Sequence, residues 1–176
     1  MRSGVQTFLS FTRNPLSLVS REARPARCNV CGYVGRLLLR WTYRRNLRET
    51  LGCPRCGSIS RDRMLVSVMS EAVGRPPILA DWPPDPSIRV LEPSARRGRA
   101  RILGTKVEYH AVEYPRVDLE SLPYEVGRFD WVVAADVFEH VRRDGPAFRE
   151  VLRVLRPGGW FFLQVPFDPE RETLLR

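Results

Sequence analysis

From residue 88 onward the hydrophobic pattern changes period several times. "IRVLEP" is a short apolar run stopped by proline, and "KVEYHAVEY" alternates apolar with polar positions and is rich in β-formers. "FDWVVAAD" is a near-continuous apolar run closed by a carboxylate. These three segments read as strands. In "GPAFREVLRVLRPGG" the apolar residues Phe148, Val151, Leu152 and Leu155 share one helical face, and Pro157-Gly158-Gly159 is expected to stop that helix. "WFFLQVPF" then reads as a further strand. Strands alternating with helical segments predict an α/β fold, a Rossmann-like, doubly wound and mostly parallel sheet of about four strands. In such sheets ligands bind at the carboxyl ends of the strands. The acidic strand ends Glu92, Glu113 and Asp136 are therefore candidate site residues.

The preceding third is patterned differently. "SISRDRMLVSVMSEAVG" predicts a helix with Met64, Leu65, Val68, Met69 and Ala72 recurring, a cap at Ser58 or Ser60, and an end at Gly74. "GRPPILADWPPDPS" holds five prolines and reads as a linker or an irregular strap. Leu37–Trp41 and Tyr43 predict a strand or hairpin. The expected boundaries are an N-terminal extension at 1–27, a ribbon at 28–60, helix and proline-rich linker at 61–87, and the sheet domain at 88–176. Thr12-Arg13-Asn14-Pro15 interrupts the apolar residues near the start, where a signal peptide needs an unbroken core of about 7–15. No run reaches the ~20 apolar residues of a membrane span. A cytoplasmic protein is expected, with an organellar transit segment as the alternative.

Charge sharpens the division. The formal net charge is +9, but residues 1–63 hold 13 arginines against only Glu22, Glu49 and Asp62. The remainder is near neutral. Lys106 is the only lysine among 29 basic residues. So one-sided a use of arginine points to base composition and is discounted as a sign of nucleic-acid binding. Arg40, Arg44, Arg45 and Arg48 suit phosphates or nucleic acid, or else a solvated face or a dock for acidic residues of the other domain; the ribbon lacks the dense aromatic–basic interleaving of a nucleic-acid surface, which favours the latter.

All four cysteines fall in this basic third, as "CNVCG" at 28–32 and "CPRCG" at 53–57, with 21 residues between the pairs. Two residues between cysteines let both thiolates face one ion, and Gly32 and Gly57 can take the positive φ of that turn. Cys28, Cys31, Cys53 and Cys56 are the expected ligands of a tetrahedral Zn²⁺. Four thiolates leave no position for water, so the metal's role is structural. Disulfides are the weaker alternative in a chain with no secretion signal.

"CPRCGSISRDRML", "VDLESLP", "FDWVVAADVFEHV" and "FREVLRVLRPGGWFFLQVPF" make the pattern specific. Residues 88–167 resemble class I S-adenosylmethionine-dependent methyltransferases of the type 11 kind. Residues 28–167 resemble a bacterial subgroup of these with an N-terminal two-knuckle zinc ribbon. The resemblance implies S-adenosylmethionine as cofactor beside structural zinc. It implies Glu92 near the methionine end, Glu113 on the ribose hydroxyls, Asp118 on the adenine amino group and Leu119 on the adenine face. Asp136 would face the methyl group, and His140 would be a general base or orient an acceptor oxygen.

Two departures stand out. Only Tyr114-Pro115-Arg116 lies between Glu113 and Val117, too little for the usual crossover helix. Either the third strand is lost, or Val117-Asp118 is a loop. The strand "WFFLQVPF" is followed by only nine residues, so a C-terminally short sheet with an exposed edge is expected, open to a protein partner or a second copy. The first loop is also substituted. In the acid-x-G-x-G-x-G register it reads Glu92, Ser94, Arg96 and Gly98, with Ser94 and Gly98 small enough for close backbone approach. The expected function is methyl transfer to a small molecule or glycan-type acceptor. The competing reading is a non-catalytic relative that uses its basic ribbon to bind protein or nucleic acid.

Overall fold

The computed structural model describes residues 26–39 and 51–166. Trp41, Tyr43 and the arginines at 40, 44, 45 and 48 lie outside the described residues, as do residues 1–25. The chain divides into two compact units. One runs to Pro83 and also takes in Arg97–Leu103; the other comprises Pro84–Arg96 and the chain from Gly104.

In the first unit, β1 (Ala26–Arg27) pairs antiparallel with β2 (Val34–Gly35), and β3 (Leu38–Leu39) pairs antiparallel with β4 (Leu51–Gly52). The two cysteine turns repeat one geometry. The Cys28 N–H donates to Tyr33 and the Gly32 N–H to Cys28; the Cys53 N–H donates to Ser58 and the Gly57 N–H to Cys53, all at 2.8 Å. Gly32 and Gly57 have φ of 73° and 75°, the conformation expected of them.

Helix α1 (Ser60–Ala72) follows, with Gly74 at φ 64° just beyond its end. Its cap differs from expectation. The capping position is Ile59, whose N–H donates to Asp62 Oδ2 at 2.9 Å, while the Ser58 hydroxyl turns to cysteine sulfurs. Its inward face also differs: Leu65, Val66 and Met69 are buried, whereas Met64 and Val68 are exposed. The proline-rich segment is a strap over the first knuckle. The Leu79 N–H donates to Asn29 at 2.8 Å and the Ala80 N–H to Val30 at 3.1 Å. Trp82 is buried, donates its Nε1–H to the Pro76 carbonyl at 2.7 Å, and lies under the Arg75 guanidinium.

Helix α2 (Arg97–Leu103) completes this unit. Arg99 is buried and its guanidinium donates to Asp62 Oδ1 at 2.8 Å. Asp62 thus caps α1 with one oxygen and holds α2 with the other. A charge buried this deeply is tolerated because it is paired.

The second unit is a four-stranded sheet in the order β6-β5-β7-β8, all parallel, built from β5 (Arg89–Pro93), β6 (Glu108–Val112), β7 (Phe129–Ala135) and β8 (Leu155–Gln164). This is the Rossmann-like α/β arrangement expected, with a small ribbon before it in the sequence. Every residue of β7 is buried, as its continuous apolar run requires of a central parallel strand. Leu91, Phe129, Val132 and Ala134 form the core with Ala147, Val151 and Val154 of α3 (Asp144–Val154). The core also buries Leu119 and Leu122 from the segment between β6 and β7. That segment is a loop: the Val117 N–H donates to Glu113 and Asp118 forms a single bridge to Ser121. No strand stands between β6 and β7 among the described residues.

The expected helix face is half right. Val151 is buried, but Leu152 is exposed and Phe148 borders on solvent, stacked obliquely on Phe138 with 4.6 Å between ring centroids. The helix also stops earlier than Pro157. β8 opens at Leu155, opposite Phe129, and its register slips before Trp160 pairs with Trp131. The proline and glycines therefore form an irregularity inside a strand rather than a helix stop. Asp130 fastens this corner, taking the Arg89 N–H at 2.8 Å and the Arg156 guanidinium. Burial pushes its carboxyl up, but those donors outweigh it and hold it below the usual range. β8 ends the sheet among the described residues, with Trp160 and Leu163 exposed. No described helix is long and apolar enough to cross a membrane.

Candidate functional site

The sequence marks two sites, and each is assembled within one unit. In the first, the four cysteines converge. Their sulfurs all lie within 4.8 Å of one another, with Cys28–Cys56 at 3.8 Å and Cys31–Cys53 at 3.6 Å. A tetrahedral ion with Zn–S bonds of about 2.3 Å sets its sulfurs about 3.8 Å apart. The cluster therefore fits a four-thiolate zinc centre, and no disulfide joins the cysteines. The Ser58 hydroxyl, itself buried, lies 3.2 Å from Cys28 Sγ and 3.1 Å from Cys56 Sγ. Hydrogen bonds from the Cys56 thiol and then Ser58 pull the Cys28 thiol down to about 4, against the opposing effect of burial. The reciprocal bond pushes Cys56 up. Within that pair Cys28 is the sulfur favoured as thiolate, the form that ligates metal.

The second site is a cavity of about 220 Å³ at the carboxyl ends of the strands. It brings together Ser94, Asp118, Leu119, Asp136 and His140 from the expected set. Tyr114 and Val117 from the short β6–β7 crossover also line it, as do Glu120, Val141 and Arg142. Sequence reasoning passed over these; the signal available was the crossover itself, too short for a helix and so left as a loop over the strand ends. The wall combines apolar surface with several carboxylates. Glu120 is fixed from behind: Arg143 donates its backbone N–H at 2.9 Å and its Nε–H at 2.7 Å. Those bonds hold the Glu120 carboxyl below its ordinary range. His140 is exposed, with Nε2 3.9 Å from Glu139.

Backbone conformation marks the same place. Ser94 and Asp136, just past the ends of β5 and β7, have φ of 52° and 55°. They are the described non-glycine residues in the left-handed region, where each costs about 1–3 kcal/mol. Ser94 thus keeps a glycine's conformation at the position where the loop register expects glycine. The Asp136 carboxylate takes the Arg96 guanidinium at 2.7 Å.

Three expected residues lie off the wall. Glu92 is fully buried within β5 and accepts the Tyr109 hydroxyl at 2.9 Å. Glu113 stands beside the lining residue Ser94, its Oε2 3.5 Å from Ser94 Oγ. Gly98 lies within α2, in the other unit, where a Cβ would overlap the Cys56 carbonyl oxygen. Glycine is required there by the knuckle backbone.

Comparison with known proteins bears on the second site. Residues 85–163 match the family model described as a methyltransferase domain. A probable S-adenosylmethionine-dependent methyltransferase of Mycolicibacterium smegmatis is 38% identical over 78 residues, covering 39% of this chain and 30% of the relative. The ubiquinone/menaquinone biosynthesis C-methyltransferase UbiE of Pseudomonas fluorescens is 38% identical over 70 residues, covering 40% of this chain and 27% of the relative. The chain thus spans under a third of the length of these two. Among solved structures, the CurJ carbon methyltransferase aligns at 19% identity with a TM-score of 0.41, over 55% of this chain and 33% of that one. A complex of the Haloferax volcanii Trm112 methyltransferase activator with a methyltransferase aligns at 17% identity with a TM-score of 0.39, over 57% and 52%.

Proposed function

We propose that the sheet unit binds S-adenosylmethionine in the cavity at its strand ends and transfers the methyl group to a small-molecule or glycan-type acceptor. The observation that carries this is the convergence of Ser94, Asp118, Leu119, Asp136 and His140 on one cavity inside the segment matched to methyltransferase domains. The wall suits such a ligand. Its carboxylates accept hydrogen bonds from amino and hydroxyl donors and favour positive charge, and Leu119 and Val117 give a flat base an apolar surface.

In this reading Asp118 receives the adenine amino group and Leu119 packs on the ring. Glu113, next to Ser94, takes the ribose hydroxyls, and Ser94 allows close backbone approach. Asp136 faces the positively charged methionine end. His140 stands at the open side, where it orients an acceptor oxygen or takes its proton. Glu92 supports the site from beneath through Tyr109, and Gly98 serves the knuckle. The bound sulfonium supplies an already activated methyl group, so the protein's task is largely to hold the acceptor in line. The zinc centre proposed for the ribbon has four cysteine ligands and a structural role.

Calorimetric titration of the zinc-loaded protein with S-adenosylmethionine and S-adenosylhomocysteine tests this. Binding is expected, weakened by Asp118→Ala. No heat from either ligand at millimolar concentration would sink the proposal.

A further inference from the structure

Arg96 stands where the loop register expects a glycine, and its side chain reaches across to Asp136. The guanidinium and carboxylate are 2.7 Å apart, with side-chain exposures of 38% and 13%. Asp136 lines the cavity, and its left-handed backbone holds the carboxylate at the end of β7. A cation placed alone beside a sulfonium would repel it. Bonded to Asp136, the same cation is offset, and the guanidinium stands 2.7 Å from a carboxylate that lines the cavity.

An α-amino acid end is a zwitterion, with ammonium and carboxylate on one carbon. It is matched by a fixed donor cation beside a fixed acceptor anion. Arginine suits the first role because its planar fork can keep one N–H on Asp136 while others bond a second carboxylate. We propose that Arg96 and Asp136 together hold the amino-acid end of the cofactor, Arg96 taking its carboxylate and Asp136 its ammonium. Arg96 is thereby a specificity residue for ligands that carry this end. The inference rests on the methyl-donor reading above and adds a residue to it.

The test pairs two ligands. S-adenosylhomocysteine has an uncharged thioether, which removes sulfonium repulsion from the comparison. 5′-Methylthioadenosine shares the adenosine and thioether but lacks the amino-acid end. Calorimetry on the zinc-loaded full chain should show Arg96→Gln weakening S-adenosylhomocysteine about tenfold or more, as expected for one charge-assisted contact. Methylthioadenosine affinity should stay within about twofold. Arg96→Lys should recover part of the loss, since it keeps the charge without the fork. Arg142→Gln, which alters an arginine that does line the cavity, should leave the ratio of the two affinities unchanged. The unliganded melting temperatures show whether each variant folds.

Parallel weakening of both ligands, no change in either, or a selective loss in Arg142→Gln instead, would overturn the role of Arg96. If the unaltered protein binds methylthioadenosine and S-adenosylhomocysteine, the methyl-donor reading survives any of these results. If it binds neither, both proposals fall together.

Discussion

The two units are held together by different physics. The ribbon unit has two-residue strands; it buries Ile59, Leu65, Met69 and Trp82 among others, and its cysteines, strap and Asp62–Arg99 pair join segments far apart in sequence. Its strands are too short to hold the cysteine turns by themselves, so those turns depend on the specific links between them. The sheet unit has a continuous apolar interior about β7, and no single contact dominates it. A unit organised around a metal centre should fail abruptly when a ligand is removed, and a packed core should weaken by degrees.

The largest effect is therefore expected at a cysteine. Cys53→Ser leaves three thiolates and should abolish stoichiometric zinc. It should also unfold the ribbon unit, because metal affinity of about 10–16 kcal/mol is folding energy in domains this small. Metal analysis and far-ultraviolet circular dichroism check this. Acid should act in the same direction on the unaltered protein, since protons compete with the metal for thiolates. Full zinc content and an unchanged spectrum in Cys53→Ser would remove the asserted contrast. Leu91→Ala probes the other side. Leu91 is fully buried in β5, so its truncation should cost about 2–5 kcal/mol in denaturant unfolding. Zinc content should stay unaltered.

A finer probe is Gly98→Ala. Its added Cβ would overlap the Cys56 carbonyl, a backbone atom that cannot rotate away. Overpacking of this kind costs about 1–3 kcal/mol. The loss should appear as easier zinc release to a chelator, in the absence of any cofactor. If Gly98 instead served only the cavity, chelation would be unaffected and cofactor binding would fall.

That contrast also explains what the sequence makes legible. Spacing exposes the cysteine cluster, because two knuckles with glycine after each pair admit few other geometries. Period exposes the sheet, because Val132, Val133 and Ala134 can be buried on both faces only in a central strand. Elements whose partners are remote in sequence are less readable. Met64 and Val68 have the right spacing for an inward face, yet the polar Asp62 takes that side because it answers Arg99, 37 residues away. The Pro157-Gly158-Gly159 run reads as a helix stop, yet the helix has already ended at Val154, where β8 must begin to pair with Phe129. In the cavity, acidic strand ends are visible as a class. Which of them faces the cavity depends on pleat and local turn: Asp136 is turned outward by its positive φ, while Glu92 stays within β5 and is buried.

The smallest predicted effect tests the loop where the two units divide the work of one sequence motif. Ser94 holds φ of 52° without being glycine, and a left-handed residue with a side chain is strained by about 1–2 kcal/mol. Ser94→Gly relieves that strain but frees the unfolded chain, which offsets part of the gain. A net stabilisation of about 0.5–1 kcal/mol is expected in urea unfolding of the sheet unit. Ribbon zinc should be unchanged, because Ser94 belongs to the sheet unit and Gly98 to the ribbon unit. A destabilised Ser94→Gly variant would show that the serine side chain, through its approach to Glu113 Oε2, contributes more than its backbone costs.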